Sequence, residues 1–183
     1  MTKNDAIQFM DKQAIDRAIT RIAHEILERN GGAESLVIVG ILTRGADLAA
    51  RLAQAINGIE NVVVPVGLMD INLYRDDVNY NPDLPEVRQT QILFDIDGKN
   101  LILVDDVLYT GRTIRAALSQ LIDFGRPRTI QLAVLVDRGH RQLPIRADYV
   151  GKNIPTSFDD DVQVHFAERD GSDEVLLSLA VLK

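Results

Sequence analysis

Residues 101–113, LILVDDVLYTGRT, decide how the rest of the chain is read. Four apolar residues, Leu101, Ile102, Leu103 and Val104, predict a buried parallel strand. Two adjacent carboxylates, Asp105 and Asp106, follow at its end. A small loop, Tyr109-Thr110-Gly111-Arg112-Thr113, then opens a helix. At such a junction backbone N–H groups and hydroxyls hold a phosphate, helped by the positive end of the helix dipole. The acids would repel that phosphate, so they suit sugar hydroxyls or a divalent cation beside it. The plain alternative is a solvated strand end, but two like charges side by side are costly unless a ligand or cation offsets them. The implied ligand is a sugar phosphate.

Outward from this motif, strand and helix alternate. Asp11 predicts the N-cap of a helix running to about residue 30, closed by Gly31-Gly32, with Ile15, Ile19, Ile22 and Ile26 as its buried stripe. Residues 36–42 form a continuous apolar run, a buried strand. Thr43-Arg44-Gly45 leads into a second helix over about 46–56, stopped by Asn57-Gly58. A further strand is expected over 62–73. Residues 74–91, polar and carrying Pro82 and Pro85, predict a long mobile loop or hairpin. After the motif come a helix over 112–124, a strand over 130–136 and an irregular stretch over 137–155. Two antiparallel strands near 162–166 and 175–181 follow, with a turn at Asp170-Gly171. The pattern is that of a doubly wound α/β domain with its ligands at the carboxyl ends of the strands.

Composition narrows the chemistry. The absence of cysteine excludes disulfides, a thiolate nucleophile and a Cys-ligated zinc site, and three scattered histidines argue against a His-rich metal centre. A hard cation held by oxygen fits. The start of the chain lacks the apolar core of a signal peptide, which predicts a cytoplasmic protein. The net charge of −7 disfavours general nucleic-acid binding, but residues 158–183 hold seven acids against Arg169 and Lys183, leaving only −2 on residues 1–157. Within that body Arg138, His140, Arg141, Arg146 and Lys152 form a local basic group.

Thr43-Arg44-Gly45 is a second strand-to-helix junction, and beside a phosphate loop it predicts an Arg-assisted diphosphate site. Arg75, within Tyr74-Arg75-Asp76-Asp77, is either part of a solvated turn or the cation of a lid closing over an anionic substrate. Thr20, Arg21 and His24 lie off the isoleucine stripe on the wet face of the first helix.

LILVDDVLYTGRT resembles the phosphoribosyl-pyrophosphate (PRPP) motif of the type I phosphoribosyltransferases. With AITRIAHEILERN (18–30), TRGADLAARLA (43–53), DINLYRDD (70–77) and the run from Gly125 to Ser157, it resembles one branch closely, the pyrimidine operon regulatory protein (PyrR) family. The likeness spans roughly 11–157 and is most specific over 99–157; the acidic tail and residues 78–98 are least like the family. It implies a single phosphoribosyltransferase domain over 1–183, with a flexible hairpin-type loop at about 70–98 and a small hood segment at about 137–183. It implies the reaction of uracil with PRPP to give UMP and diphosphate, with magnesium carried by PRPP, in a homodimer or larger homo-oligomer.

By that resemblance Asp105 and Asp106 would take the ribose hydroxyls. Thr110, Gly111, Arg112 and Thr113 would hold the 5′-phosphate, with Tyr109 also at the PRPP site, and Thr43, Arg44 and Gly45 the diphosphate under a loop bearing Arg75. Purine-using relatives carry an acid where Tyr109 stands, and dedicated uracil enzymes carry a Pro-Gly base loop that has no counterpart here. Base recognition would then fall to residues 136–155, with Arg138 as the leading residue. The family also binds leader mRNA of pyrimidine genes when UMP or UTP is present. Thr20, Arg21, His24, His140, Arg141, Arg146 and Lys152 match positions tied to that role. A purine-base phosphoribosyltransferase without an RNA role, and an RNA regulator with vestigial catalysis, are the alternatives.

Overall fold

The computed structural model describes residues 6–71 and 90–180. The first half holds β1 (Ile7–Met10), α1 (Lys12–Asn30), β2 (Leu36–Ile41), α2 (Arg44–Glu60) and β3 (Val66–Met69). The second half holds β4 (Asn100–Leu108), α3 (Arg112–Leu121), β5 (Thr129–Asp137), β6 (Tyr149–Asn153), β7 (Asp161–His165), α4 (Ala167–Asp170) and β8 (Glu174–Ser178). A parallel sheet of order β3-β2-β4-β5-β6 bears out the expected α/β class and puts the acid-bearing strand at its centre. β1, β8 and β7 form a separate antiparallel sheet, the hood.

Alternation along the central strands feeds two cores. On one face Ile38, Ile102, Val104 and Leu135 pack against the isoleucine stripe of α1 and against Leu48, Leu52 and Ile56 of α2. On the other, Val37, Val39, Leu101, Leu103 and Val134 pack against Ile114, Ala117 and Leu121 of α3. The hood joins the first core through Val164, Phe166, Val175 and Leu177. Helix α1 starts and stops as expected: the Asp11 carboxylate accepts the Ala14 N–H at 2.8 Å, and Gly31 closes the helix at φ 68°.

Several boundaries differ, each for a physical reason. Helix α2 begins at Arg44 and runs through Asn57-Gly58 to Glu60. Asn57 does not cap it, because its side-chain oxygen accepts the Val64 N–H, and Asn61 in the left-handed region ends it instead. The strand expected over 62–73 shrinks to β3, since Pro65 offers no N–H to a ladder. β4 continues through both acids to Leu108, because β5 keeps pairing with it as far as Asp137. Helix α3 stops at Leu121, and residues 122–124 form turns onto Gln120 and Leu121. The stretch expected to be irregular contains β6, which completes the central sheet, and β1 was not anticipated at all. Between the two antiparallel strands the predicted turn is the short helix α4, closed by Gly171 at φ 81°.

Residues 72–89, with Arg75, Pro82 and Pro85, lie outside the described residues. The chain on either side of them is tied together. Leu68 and Gln91 exchange backbone hydrogen bonds of 2.9 and 2.8 Å. The Asp70 N–H donates to the Thr90 hydroxyl at 3.1 Å, and the Gln120 amide of α3 donates to the same oxygen at 3.0 Å.

Glycine 40 fixes how closely α2 approaches β2. A Cβ there would sit 2.6 Å from the Ala46 Cα and 2.8 Å from the Gly45 oxygen, so Gly40→Ala must displace the helix. It is expected to cost about 1–3 kcal/mol by overpacking. Gly58 is exposed, helical and meets nothing within 4 Å, so Gly58→Ala is expected to gain about 0.5–1 kcal/mol. Urea denaturation of the two variants checks both signs.

Candidate active site

Two strand-to-helix turns meet at the carboxyl end of the sheet, and glycine lets them touch. A Cβ on Gly45 would lie 2.7 Å from the Val104 carbonyl oxygen and 3.0 Å from the Asp105 Cα, so the Thr43-Arg44-Gly45 turn rests directly on the acid-bearing strand. Thr43 precedes the first turn of α2 without spending its hydroxyl on a cap, and its carbonyl accepts the Ala46 N–H. The Leu42–Thr43 peptide is cis. Asp105 is buried, and its Oδ1 accepts the Asp106 N–H at 3.0 Å. Beyond the acids, Val107 packs with the α1/α2 core and Leu108 with the α3 core, so the strand stays wedged between both.

At α3 the helix opens on Gly111, at φ 93°, with no acid in its first turn to cancel the positive end of its dipole. A cavity of about 100 Å³ lies there, lined by Asp105, Val107, Leu108, Tyr109, Thr110, Gly111, Arg112, Thr113 and Ile114. The phosphate loop of the motif is thus a hollow, with one of the two acids at its rim. Its far wall comes from elsewhere in the chain. Gln142 donates its N–H to the Thr110 carbonyl and accepts from Arg112 Nε, while Ile145 packs 3.4 Å from where a Gly111 Cβ would be.

Burial pushes the Asp106 carboxyl up from the usual carboxylate range, against the hydrogen bonds from Asp105 and the backbone that favour its charge. Arg44 Nε and Nη2 donate to the two oxygens of Asp170 at 3.2 and 2.8 Å, and this pairing raises the Arg44 guanidinium further. The pair begins a ladder between α2 and α4. Arg169 reaches Asp47 at 2.9 Å, and Arg51 reaches both Glu168 and Asp173, with its guanidinium 4.7 Å from the Phe166 ring centre. None of these hood partners was singled out from sequence. An acidic tail gives no sign of which acids face basic residues far away in the chain.

This arrangement has relatives. The phosphoribosyl transferase domain family matches residues 6–168. The chain is 58% identical to the bifunctional protein PyrR of Pelotomaculum thermopropionicum, over 93% of this chain and 94% of that one. It is 60% identical to that of Deinococcus radiodurans, over 92% of each. The chain belongs to the PyrR family. Among solved structures this PyrR-family chain is similar in fold to hypoxanthine phosphoribosyltransferase from Trypanosoma cruzi in complex with the product IMP, with a TM-score of 0.73 at 19% identity, covering 98% of this chain and 92% of that one. It is likewise similar to the Staphylococcus aureus enzyme of that name, with a TM-score of 0.70 at 21% identity, covering 98% of each.

Next to the hollow at α3, this PyrR-family chain builds an aromatic corner. Tyr109 donates its hydroxyl to the Phe158 carbonyl at 3.0 Å and packs against the Phe158 ring, with centroids 5.6 Å apart. His140 stands edge-on to both rings and bonds the Thr156 carbonyl through Nε2 at 2.7 Å. Arg138 is buried with its guanidinium 4.1 Å from the Tyr109 ring centre, and its Nη2 donates to the carbonyls of Ser157 and Phe158. Phe158 escaped the sequence reading, its one signal being an aromatic residue at the head of an acidic run.

The residues linked by resemblance to RNA fall into two groups. Arg21 donates to the carbonyls of Val150 and Gly151 at 3.0 and 2.7 Å, which joins the Thr20, Arg21 and His24 face of α1 to β6 beside Lys152. Arg146, just before β6, is exposed. His140 and Arg141 lie instead at the site. Arg141 is spent on the Ile145, Tyr109 and Gly139 carbonyls and on the Asp137 carboxylate, so it braces the loop after β5. Arg75 lies outside the described residues.

A half-buried acid whose charge is disfavoured has a signature in stability. Asp106 holds its proton to higher pH when folded than when unfolded, so folded-state stability falls as pH rises from the ordinary carboxylate value through the raised one. Asp106→Asn removes that penalty. The variant is expected to be more stable than the parent at pH 7, with the difference closing below about pH 3, and to lose turnover by about 10²-fold or more. Urea titrations at the two pH values, with a product assay, check both; a variant less stable at pH 7 contradicts the reading.

Proposed function

We propose that this protein joins uracil to PRPP, giving UMP and diphosphate, and that it also regulates pyrimidine-biosynthesis genes by binding leader mRNA when a uridine nucleotide is bound. One observation carries the reading. In a member of the PyrR family, the Gly45 contact sets two anion-type turns on either side of a pair of acids. A ribose with a phosphate at one end and a diphosphate at the other matches that spacing of charge.

In this reading the N–H groups and hydroxyls of Thr110, Gly111, Arg112 and Thr113 hold the 5′-phosphate, and Asp105 and Asp106 accept hydrogen bonds from the ribose hydroxyls. Thr43, Arg44 and Gly45 receive the diphosphate, and Arg75 approaches it from the loop. The uracil nitrogen attacks the anomeric carbon as the bond to diphosphate breaks, and the proton it loses passes to the departing diphosphate or to water. Positive charge then develops on the ring, and the carboxylates stabilise it, while Arg44 stabilises the leaving group. Tyr109, Phe158 and the buried Arg138 wall the base slot, with His140 edge-on beside them. A neutral aromatic wall suits a pyrimidine, which needs no acid opposite a purine ring nitrogen.

Magnesium accompanies the diphosphate. Among the described residues no group of three His, Cys, Asp or Glu gathers at one point. Half-buried Asp106, costly to ionise until a cation adjoins it, is the residue that would meet the ion. When bound, the ion would draw charge off the departing diphosphate.

RNA would approach the face formed by Thr20, Arg21, His24, Arg146 and Lys152. His140 and Arg141 would act at the boundary between that face and the base slot.

Incubation with PRPP and each free base tests the enzyme. UMP is expected from uracil, and faster turnover of hypoxanthine or guanine would sink the assignment. For RNA, Lys152→Ala is expected to weaken binding to a pyrimidine leader in the presence of UMP and to lower its salt dependence by about one unit of log–log slope. Unchanged affinity and slope would remove Lys152 from the interface.

A further inference from the structure

Arg44 is the cation that a diphosphate at residues 43–45 would seek, yet a carboxylate already fills its fork. Nε and Nη2 donate to the two oxygens of Asp170. Asp170 is held there. Its Oδ2 also accepts the Phe166 N–H at 3.0 Å, and the short helix that carries it is tied down by Arg169–Asp47 and by Arg51 with Glu168 and Asp173. Arg44, Asp47 and Arg51 recur at helical spacing on α2, so the three contacts follow one face of the helix that begins at the diphosphate turn. The carboxylates of Asp47 and Asp106 also act on Arg44.

We propose that Asp170 competes with diphosphate for Arg44 and so sets the preference of the pocket between PRPP, which carries a diphosphate, and UMP, which does not. The proposal rests on reading residues 43–45 as the diphosphate turn. A fork that donates two bonds to one carboxylate cannot donate the same two to a phosphate oxygen pair. Two anions at that distance also repel. Diphosphate must displace Asp170 and bears that cost in its affinity. A nucleoside monophosphate lodges its phosphate at the α3 hollow and makes no demand on Arg44, so its affinity is untouched. The ion pair thus tilts the site toward the nucleotide and away from the substrate.

Isothermal titration of PRPP, inorganic diphosphate and UMP, each with and without magnesium, tests this on the parent, Asp170→Asn and Glu168→Gln. Asparagine keeps the size of the side chain and an acceptor for the Phe166 N–H while removing the charge. Asp170→Asn is expected to bind PRPP and diphosphate about two- to fivefold more tightly, the worth of a part-exposed ion pair, with UMP unchanged. Glu168→Gln, which loosens the ladder without touching Arg44, is expected to leave PRPP affinity as it is. On an Arg44→Ala background Asp170→Asn should change nothing, because the competed group is gone.

Weaker or unchanged PRPP binding in Asp170→Asn overturns the competition. Equal tightening by Glu168→Gln also overturns it, tracing the effect to a loosened α4. A parent protein that binds UMP but neither PRPP nor diphosphate overturns the diphosphate reading itself, and this inference with it.

Discussion

The close approach of Gly45 to the carboxyl end of β4 is the constraint on which the site depends. With any side chain at residue 45, the first turn of α2 would stand away from Val104 and Asp105, and the two turns would no longer share one ligand. Gly40 works one turn away, letting α2 settle onto β2 at Ala46 and Ala49. Two missing Cβ atoms bring together a helix N-terminus and a pair of acids. The hydrophobic cores on either side of β4 then hold that geometry rigid.

Electrostatics at the site run against the apo protein. A carboxylate in a half-dry position, an arginine spent on a hood acid and a helix with no acid in its first turn all leave charge unmatched. Such local conflicts are commonly where function resides, because the rest of the fold supplies the stability that they use up. The ion ladder between α2 and α4 is the counterweight. It fastens an acidic hood to the main domain through Arg44, Arg51 and Arg169, so Glu168, Asp170 and Asp173 meet arginines of α2.

Much of this was legible in the residues. The strand-acid-acid-turn-helix order of 101–113 is a local pattern, and local patterns survive folding. Helix α1 was equally readable, because its cap, its stripe and its glycine stop agree. What failed was non-local. β6 has few apolar residues of its own and becomes a strand because β5 and α1 offer it edges to pair with and pack on. β1 needs β8, more than 160 residues away. Arg141 was read as one of a basic group matched by resemblance to RNA, and its charge gave no sign that the loop after β5 turns it onto five backbone and side-chain acceptors. Phe158 and Asp170 belong to the site only through the fold.

The pinned ends of the segment between Asp70 and Thr90 carry a consequence for divergence. Because Leu68 pairs with Gln91 and Thr90 is gripped from both Asp70 and Gln120, the gap that the intervening chain must bridge is fixed by the core. Loop-closure cost grows only logarithmically, by about 0.6 kcal/mol per doubling of length. Insertions, deletions and compositional drift in that stretch therefore leave the sheet register unaltered. The anchoring hydroxyl and amide, together with Arg75, are where selection should press.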